Sequence, residues 1–129
     1  MALLRGKTIL IVEDEALIAL DLEVTLTSEG AQVITSPALD HAFKVAQKHA
    51  EISAAILDVQ LGEKDCAPLC QMLELRQVPF IFHTGYGAGG VLDQWPQAPV
   101  LTKPSTKEQL LNCLTGALNG SREALDLSK

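Results

Sequence analysis

The chain has 129 residues, 47% of them hydrophobic and 20% charged, a balance that suits one folded domain with a single core and excludes a disordered chain. Aromatic residues make up 4% and the formal net charge is −6, which argues against base-stacking platforms and phosphate-backbone binding, so no nucleic-acid partner is expected. No apolar run exceeds five residues, far short of a membrane span, so no membrane partner is expected, and the Met1-Ala2-Leu3-Leu4 start lacks the pattern of a cleaved leader.

Thr8-Ile9-Leu10-Ile11-Val12 is a β-branched apolar run, read as the first strand, and it ends in Glu13-Asp14-Glu15. From Glu15 to Glu29 two patterns compete. Leu20-Asp21-Leu22-Glu23-Val24-Thr25-Leu26 alternates as a strand would, but the length, the good helix formers and the Gly30 stop favour a helix. Ala31 to Thr35 is a short second strand. Ser36-Pro37 fits an N-cap followed by proline at the first helical position. It opens a second helix that runs to about Ala50 and turns Leu39, Phe43, Val45 and Ala46 inward.

Ala54-Ala55-Ile56-Leu57-Asp58 is an apolar run that ends on an aspartate. Such a run reads as a strand buried on both faces of a parallel sheet, delivering Asp58 to the sheet's carboxyl edge. After the Leu61–Lys64 loop a third helix starts at Asp65 or Cys66, carries Pro68 in its first turn and ends near Arg76. Phe80 to Thr84 is the fourth strand. The glycine-rich stretch Gly85–Gly90 follows, with room for only a brief helix before Pro96 and Pro99. Val100-Leu101-Thr102 is the fifth strand, leading into Lys103-Pro104. Ser105 and Glu108 fit a capping box for a last helix that stops near Leu118, at Asn119-Gly120.

This alternation, strand then helix five times over, predicts an α/β fold: a five-stranded parallel sheet with helices on both faces and right-handed crossovers. Three cysteines, an odd number, point to reduced thiols in a cytoplasmic protein. Cys66 and Cys70 share a helix face but lack further ligands at metal-binding spacing, so they read as small buried apolar residues.

Polar groups gather at the predicted strand ends: Glu13 and Asp14 after the first, Asp58 at the third, Thr84 at the fourth, Lys103 after the fifth. In a sheet ordered 2-1-3-4-5, the first and third strands are neighbours at the switch point, which brings Asp14 and Asp58 together with Glu13 beside them. Three carboxylates in one pocket repel unless a hard cation is present, and so few of them suit Mg²⁺ better than Ca²⁺.

The set Glu13-Asp14, Asp58, Thr84 and Lys103-Pro104 resembles the receiver domain of two-component response regulators, over about residues 6 to 119. Pro79-Phe80-Ile81-Phe82-His83-Thr84-Gly85-Tyr86 is similar to the signature of the single-domain FAT GUY receivers, with His83 where that pattern usually carries alanine. The resemblance implies the flavodoxin-like receiver fold and a phosphoryl group received on Asp58 from a sensor histidine kinase or histidine phosphotransfer protein. It implies Mg²⁺ held by Asp14 and Asp58 directly, by Glu13 through water, and by the backbone carbonyl of Gln60. Lys103 pairs with Asp58 and then with a phosphoryl oxygen; Thr84 bonds another; the Lys103–Pro104 bond is commonly cis. The family's usual switch aromatic lies three residues before the lysine, where this chain has Val100.

On this reading residues 1–120 are the receiver domain and residues 121–129 a C-terminal tail, with no effector domain. The protein is not an enzyme beyond catalysing its own phosphorylation and dephosphorylation. It signals to a downstream protein of unknown identity or acts as a phosphate sink, and a weak homodimer is left open. Other readings stand beside it. A receiver-like adaptor that is never phosphorylated has the same fold. Gly85-x-Gly87-x-x-Gly90 satisfies the dinucleotide expression but follows the fourth strand and opens no long helix. A haloacid-dehalogenase-type phosphatase wants a second aspartate where Gln60 stands. His83 faces away from Thr84 by alternation and is not taken as catalytic, and His41 and His49 read as solvated positions.

Overall fold

The computed structural model describes residues 2–58, 66–85 and 95–127, with side chains up to Asn119. In chain order it contains β1 (Thr8–Val12), α1 (Ala16–Ser28), β2 (Gln32–Ser36), α2 (Leu39–Lys48), β3 (Ala54–Leu57), α3 (Ala67–Leu75), β4 (Phe80–Thr84), β5 (Val100–Thr102) and α4 (Lys107–Leu127). The five strands form one sheet in the order β2-β1-β3-β4-β5, with every pair parallel.

Every residue of β1, β3 and β4 is buried, which is why these strands are apolar except for Thr8, His83 and Thr84 at their ends instead of alternating. Their side chains supply two cores. On one face Leu10, Val12, Ala55, Leu57, Phe80 and Phe82 pack against Leu39, Ala42 and Ala46 of α2 and Leu69, Cys70 and Leu73 of α3. On the other, Ile9, Ile11, Ala54, Ile56 and Ile81 pack against Leu22 and Leu26 of α1 and Leu110, Leu111 and Leu114 of α4. The edge strands β2 and β5 are partly exposed.

Helix wins over the alternating pattern in α1. Only Leu22 and Leu26, one turn apart, are buried, so the alternate apolar residues Leu20 and Val24 are left in solvent, 55% and 58% exposed. The Gly30 stop stands as expected, with φ +94, and a Cβ there would lie 3.0 Å from Ala2 Cβ and 3.2 Å from Arg5 Cα. Both the left-handed backbone and the close approach call for glycine.

Four boundaries differ from expectation. The second strand runs one residue later, and Ser36 closes it instead of capping the next helix, because Ser36 pairs with Val12 and its carbonyl accepts the Glu13 N–H. Ala38 then precedes α2. Within that helix Ala42 takes the inward position expected of Phe43, which is half-buried. The last helix is capped one residue later than Ser105: Thr106 Oγ1 accepts the Gln109 N–H at 3.0 Å and Gln109 Oε1 accepts the Thr106 N–H at 2.9 Å, a reciprocal box one step along from Ser105 and Glu108. That helix also continues through Asn119-Gly120 to Leu127, since one glycine costs a helix only about 1 kcal/mol relative to alanine. The expected loop over residues 61–64 and the brief helix before Pro96 lie outside the described residues.

Candidate functional site

The site is assembled at the carboxyl ends of β1, β3, β4 and β5. Glu13 follows β1, and its N–H donates to Ser36 O at 3.0 Å. Asp58 follows β3, and its N–H donates to Val12 O at 3.0 Å. Pairing between adjacent parallel strands therefore sets these two carboxylates side by side. Both are 4% exposed, while Asp14 is exposed. One oxygen from each of Glu13, Asp14 and Asp58 can be chosen so that all three lie within 4.8 Å of one another.

Lys103, at the end of β5, crosses to this cluster. Its Nζ lies 2.9 Å from Glu13 Oε1 and 3.1 Å from Asp58 Oδ2. The bridge from Lys103 to Asp58 is the expected one. That to Glu13 was not expected, and no local signal in the chain points to it. Burial works against the Lys103 charge, but the hydrogen bonds to Glu13 and Asp58 outweigh it and hold the ammonium above its ordinary range. Burial is also the largest influence on Glu13, raising its carboxyl from 4.5 to about 7 against the opposing pull of Lys103 and the Glu15 N–H, with the Asp58 carboxyl adding to the rise. Three carboxylates facing one ammonium leave a formal charge of −2 when all are ionised. The donor set, hard oxygens with one exposed member, fits a hydrated divalent cation.

Thr84 ends β4. Its carbonyl accepts the Lys103 N–H at 2.7 Å, so the strand pairing that fixes Thr84 also fixes Lys103. The Thr84 hydroxyl is buried without a hydrogen-bond partner among the described residues. Leaving such a group unpaired costs roughly 1–3 kcal/mol. A hydroxyl kept there at that cost is available to an incoming oxygen.

His83 points away from Thr84, as alternation requires, and it is buried. Its Nε2 lies 3.3 Å from Ser105 Oγ. His41, expected to be solvated, is exposed yet holds Ser36 Oγ through Nδ1 at 2.7 Å. The Lys103–Pro104 bond is cis, as the resemblance implies. Val100 is 45% exposed, so no ring stands at that place. Cys66 and Cys70 are buried, their sulfurs 3.8 Å apart, and none of the three cysteines forms a disulfide among the described residues. Gln60, the expected backbone ligand, lies outside the described residues, as do Gly87, Gly89 and Gly90. Among the described residues no helix is long and apolar enough to cross a membrane.

No family model matches the chain. It is 33% identical over 100 residues to the phyllosphere-induced regulator PhyR of Methylorubrum extorquens, a match that covers 74% of this chain and 38% of that protein. The chain thus spans well under half the length of that curated relative. Among solved structures, SdrG of Sphingomonas melonis Fr1 is 37% identical, with 92% of this chain and 98% of that chain covered and a TM-score of 0.77. A BeF3-activated conformation of SdrG, from Pseudomonas melonis Fr1, gives 34% identity, coverage of 88% and 98%, and a TM-score of 0.73. A response regulator receiver domain protein from Clostridium thermocellum, at 21% identity and a TM-score of 0.78 with 92% and 98% covered, shares the fold.

Proposed function

The chain belongs to the response-regulator receiver family, and from that premise we propose that Asp58 accepts a phosphoryl group from a phosphohistidine on a sensor kinase or phosphotransfer protein. The observation that carries the proposal is the Lys103 bridge: one half-buried ammonium hydrogen-bonded to Asp58 and ion-paired with Glu13, together with a buried threonine hydroxyl that has no partner among the described residues. The BeF3-activated conformation of SdrG supports it, because a beryllofluoride group on a carboxylate has the tetrahedral shape and charge of a phosphoryl group.

In the proposed step an Asp58 oxygen attacks phosphorus, the phosphorus–nitrogen bond of the donor breaks, and the electron pair leaves on the imidazole. Lys103 moves with its charge from the carboxylates to a phosphoryl oxygen, and Thr84 donates its hydroxyl hydrogen to another. A magnesium ion held by Asp14 and Asp58, with Glu13 through water and the Gln60 carbonyl, would supply positive charge to the same oxygens. Asp14, exposed at the mouth of the cluster, leaves a side on which that ion and its waters can enter. Catalysis is confined to the protein's own phosphorylation and dephosphorylation.

The donor needs a surface beside the site. On α1 the residues Leu17, Leu20 and Val24, spaced along one stripe that starts a few residues after Asp14, are 81%, 55% and 58% exposed. Large apolar side chains left in water on the helix that follows Glu13 and Asp14 support docking of the phosphodonor protein there. The finer assignment to FAT GUY receivers rests on Pro79–Tyr86. The stand-alone role, as output regulator or phosphate sink, is part of the same proposal.

Intact-protein mass spectrometry after incubation with Mg²⁺ and acetyl phosphate tests the reading. One phosphoryl group on the wild type and none on Asp58→Ala is the expected result. An unmodified wild type, where a control receiver is labelled, would favour the unphosphorylated adaptor.

A further inference from the structure

His83 is a polar residue in an apolar layer. Strand alternation puts it on the side of β4 that carries Ile81, and its register partner on β5 is Leu101; both pack in the core shared with α1 and α4. It is 4% exposed. One ring nitrogen, Nε2, lies 3.3 Å from Ser105 Oγ, and the other, Nδ1, has no partner among the described residues. Burial, then the nearby Lys103 charge, lowers its pKa, with Asp58 acting the other way. The ring is therefore neutral at neutral pH, with one nitrogen donating and the other accepting. Packing does not account for it, because an apolar residue of similar size would avoid the cost of the unpaired nitrogen.

His83 reaches the turn that follows β5. Ser105 lies two residues after Lys103, and the Lys103 N–H already donates to Thr84 O at 2.7 Å. The turn leaving β5 is thus tied to β4 twice, by backbone at Thr84 and by side chain at His83. Lys103, which makes the first tie and lies two residues before the second, holds its ammonium 3.1 Å from Asp58 Oδ2. A displacement of about 1 Å in such a group costs on the order of 10²-fold in rate.

We propose that His83 is a positioning residue for Lys103: its bond to Ser105 fastens the turn after β5 to β4 and keeps the Lys103 ammonium at Asp58 during phosphoryl transfer. The inference rests on the receiver reading of Asp58. His83 makes and breaks no bond in the step; its neutral ring orients the turn that carries the charge.

The test compares full-length wild type with His83→Leu, His83→Gln and Ser105→Ala in Asp58 labelling by acetyl phosphate with Mg²⁺. The leucine variant is expected to lose about tenfold or more in maximal rate with little change in the acetyl phosphate concentration that gives half of it. Glutamine, whose amide reaches the place of Nε2, keeps the rate within about threefold of wild type. Ser105→Ala matches the leucine variant, and combining the two adds no further loss, as expected of one shared contact. The leucine variant unfolds at the same temperature as wild type or higher, so rate and stability part company. Wild-type rates in His83→Leu, or a loss that glutamine does not rescue, would overturn the proposal.

A second readout needs no phosphodonor. NMR order parameters of the Lys103 side chain are expected to be high in wild type and His83→Gln and low in His83→Leu. Equal order in all three overturns the positioning role of His83. A wild type that is never labelled on Asp58 overturns the receiver reading instead, and the Lys103 measurement still decides what His83 does.

Discussion

Glu13→Gln isolates the electrostatic strain of the carboxylate cluster. Folding moves the Glu13 carboxyl from 4.5 to about 7, so between those two values the folded chain binds more protons than the unfolded chain. Stability without divalent metal must then fall as pH rises through that window and stay lowered above about 7. At about 1.4 kcal/mol per tenfold change in proton affinity, the ceiling on that loss is roughly 3 kcal/mol. The Lys103 attraction is already contained in it, because the shift includes the opposing bond. Glutamine keeps the shape of the protonated acid and never ionises. In chelator, urea denaturation should give the variant and wild type similar stability at pH 5, with the variant ahead by about 1–3 kcal/mol at pH 8. Added Mg²⁺ should narrow the gap, because Asp14 and Asp58 still hold the ion in the variant but the ionised Glu13 of the wild type adds charge at the site. A variant less stable than wild type at pH 8, or a gap independent of pH, would mean that the Lys103 bridge more than offsets the burial of Glu13.

Asp14→Asn should leave the fold intact while reducing Asp58 labelling about tenfold or more, because it removes a charged metal ligand at the mouth of the site; labelling at the wild-type rate would refute the metal assignment. Thr84→Ala should still accept phosphate yet lose the phosphorylation-dependent change in fluorescence of Trp95, which is buried in the core with Phe82; a full response would move the switch to the Lys103–Pro104 side. Ile56→Ala, at a site 1% exposed, should cost about 2–5 kcal/mol in urea denaturation, whereas Val100→Ala, 45% exposed, should cost under about 1 kcal/mol.

Much of this protein is legible locally. Apolar runs free of alternation mark β1, β3 and β4, because a strand buried on both faces has no polar side to encode. Gly30 marks the end of α1, and a strand-end aspartate following Ala54–Leu57 marks the site. The resemblance adds the roles of Asp14, Thr84 and Lys103 and the cis Lys103–Pro104 bond. Only the tertiary structure decided the rest, since each missed feature depends on a partner distant in sequence. Ser36 remains in β2 because Val12 and the Glu13 N–H claim its backbone. In α1, contact with the sheet picks Leu22 and Leu26 from a pattern that local propensity left divided, and leaves Leu20 and Val24 outside. Glu13 acquires its raised pKa and its bond to Lys103 from burial and from an ammonium brought across the sheet. His83 meets Ser105 for the same reason: the order of strands sets which distant polar groups face each other, and neither periodicity nor composition records a distance between residues far apart in the chain.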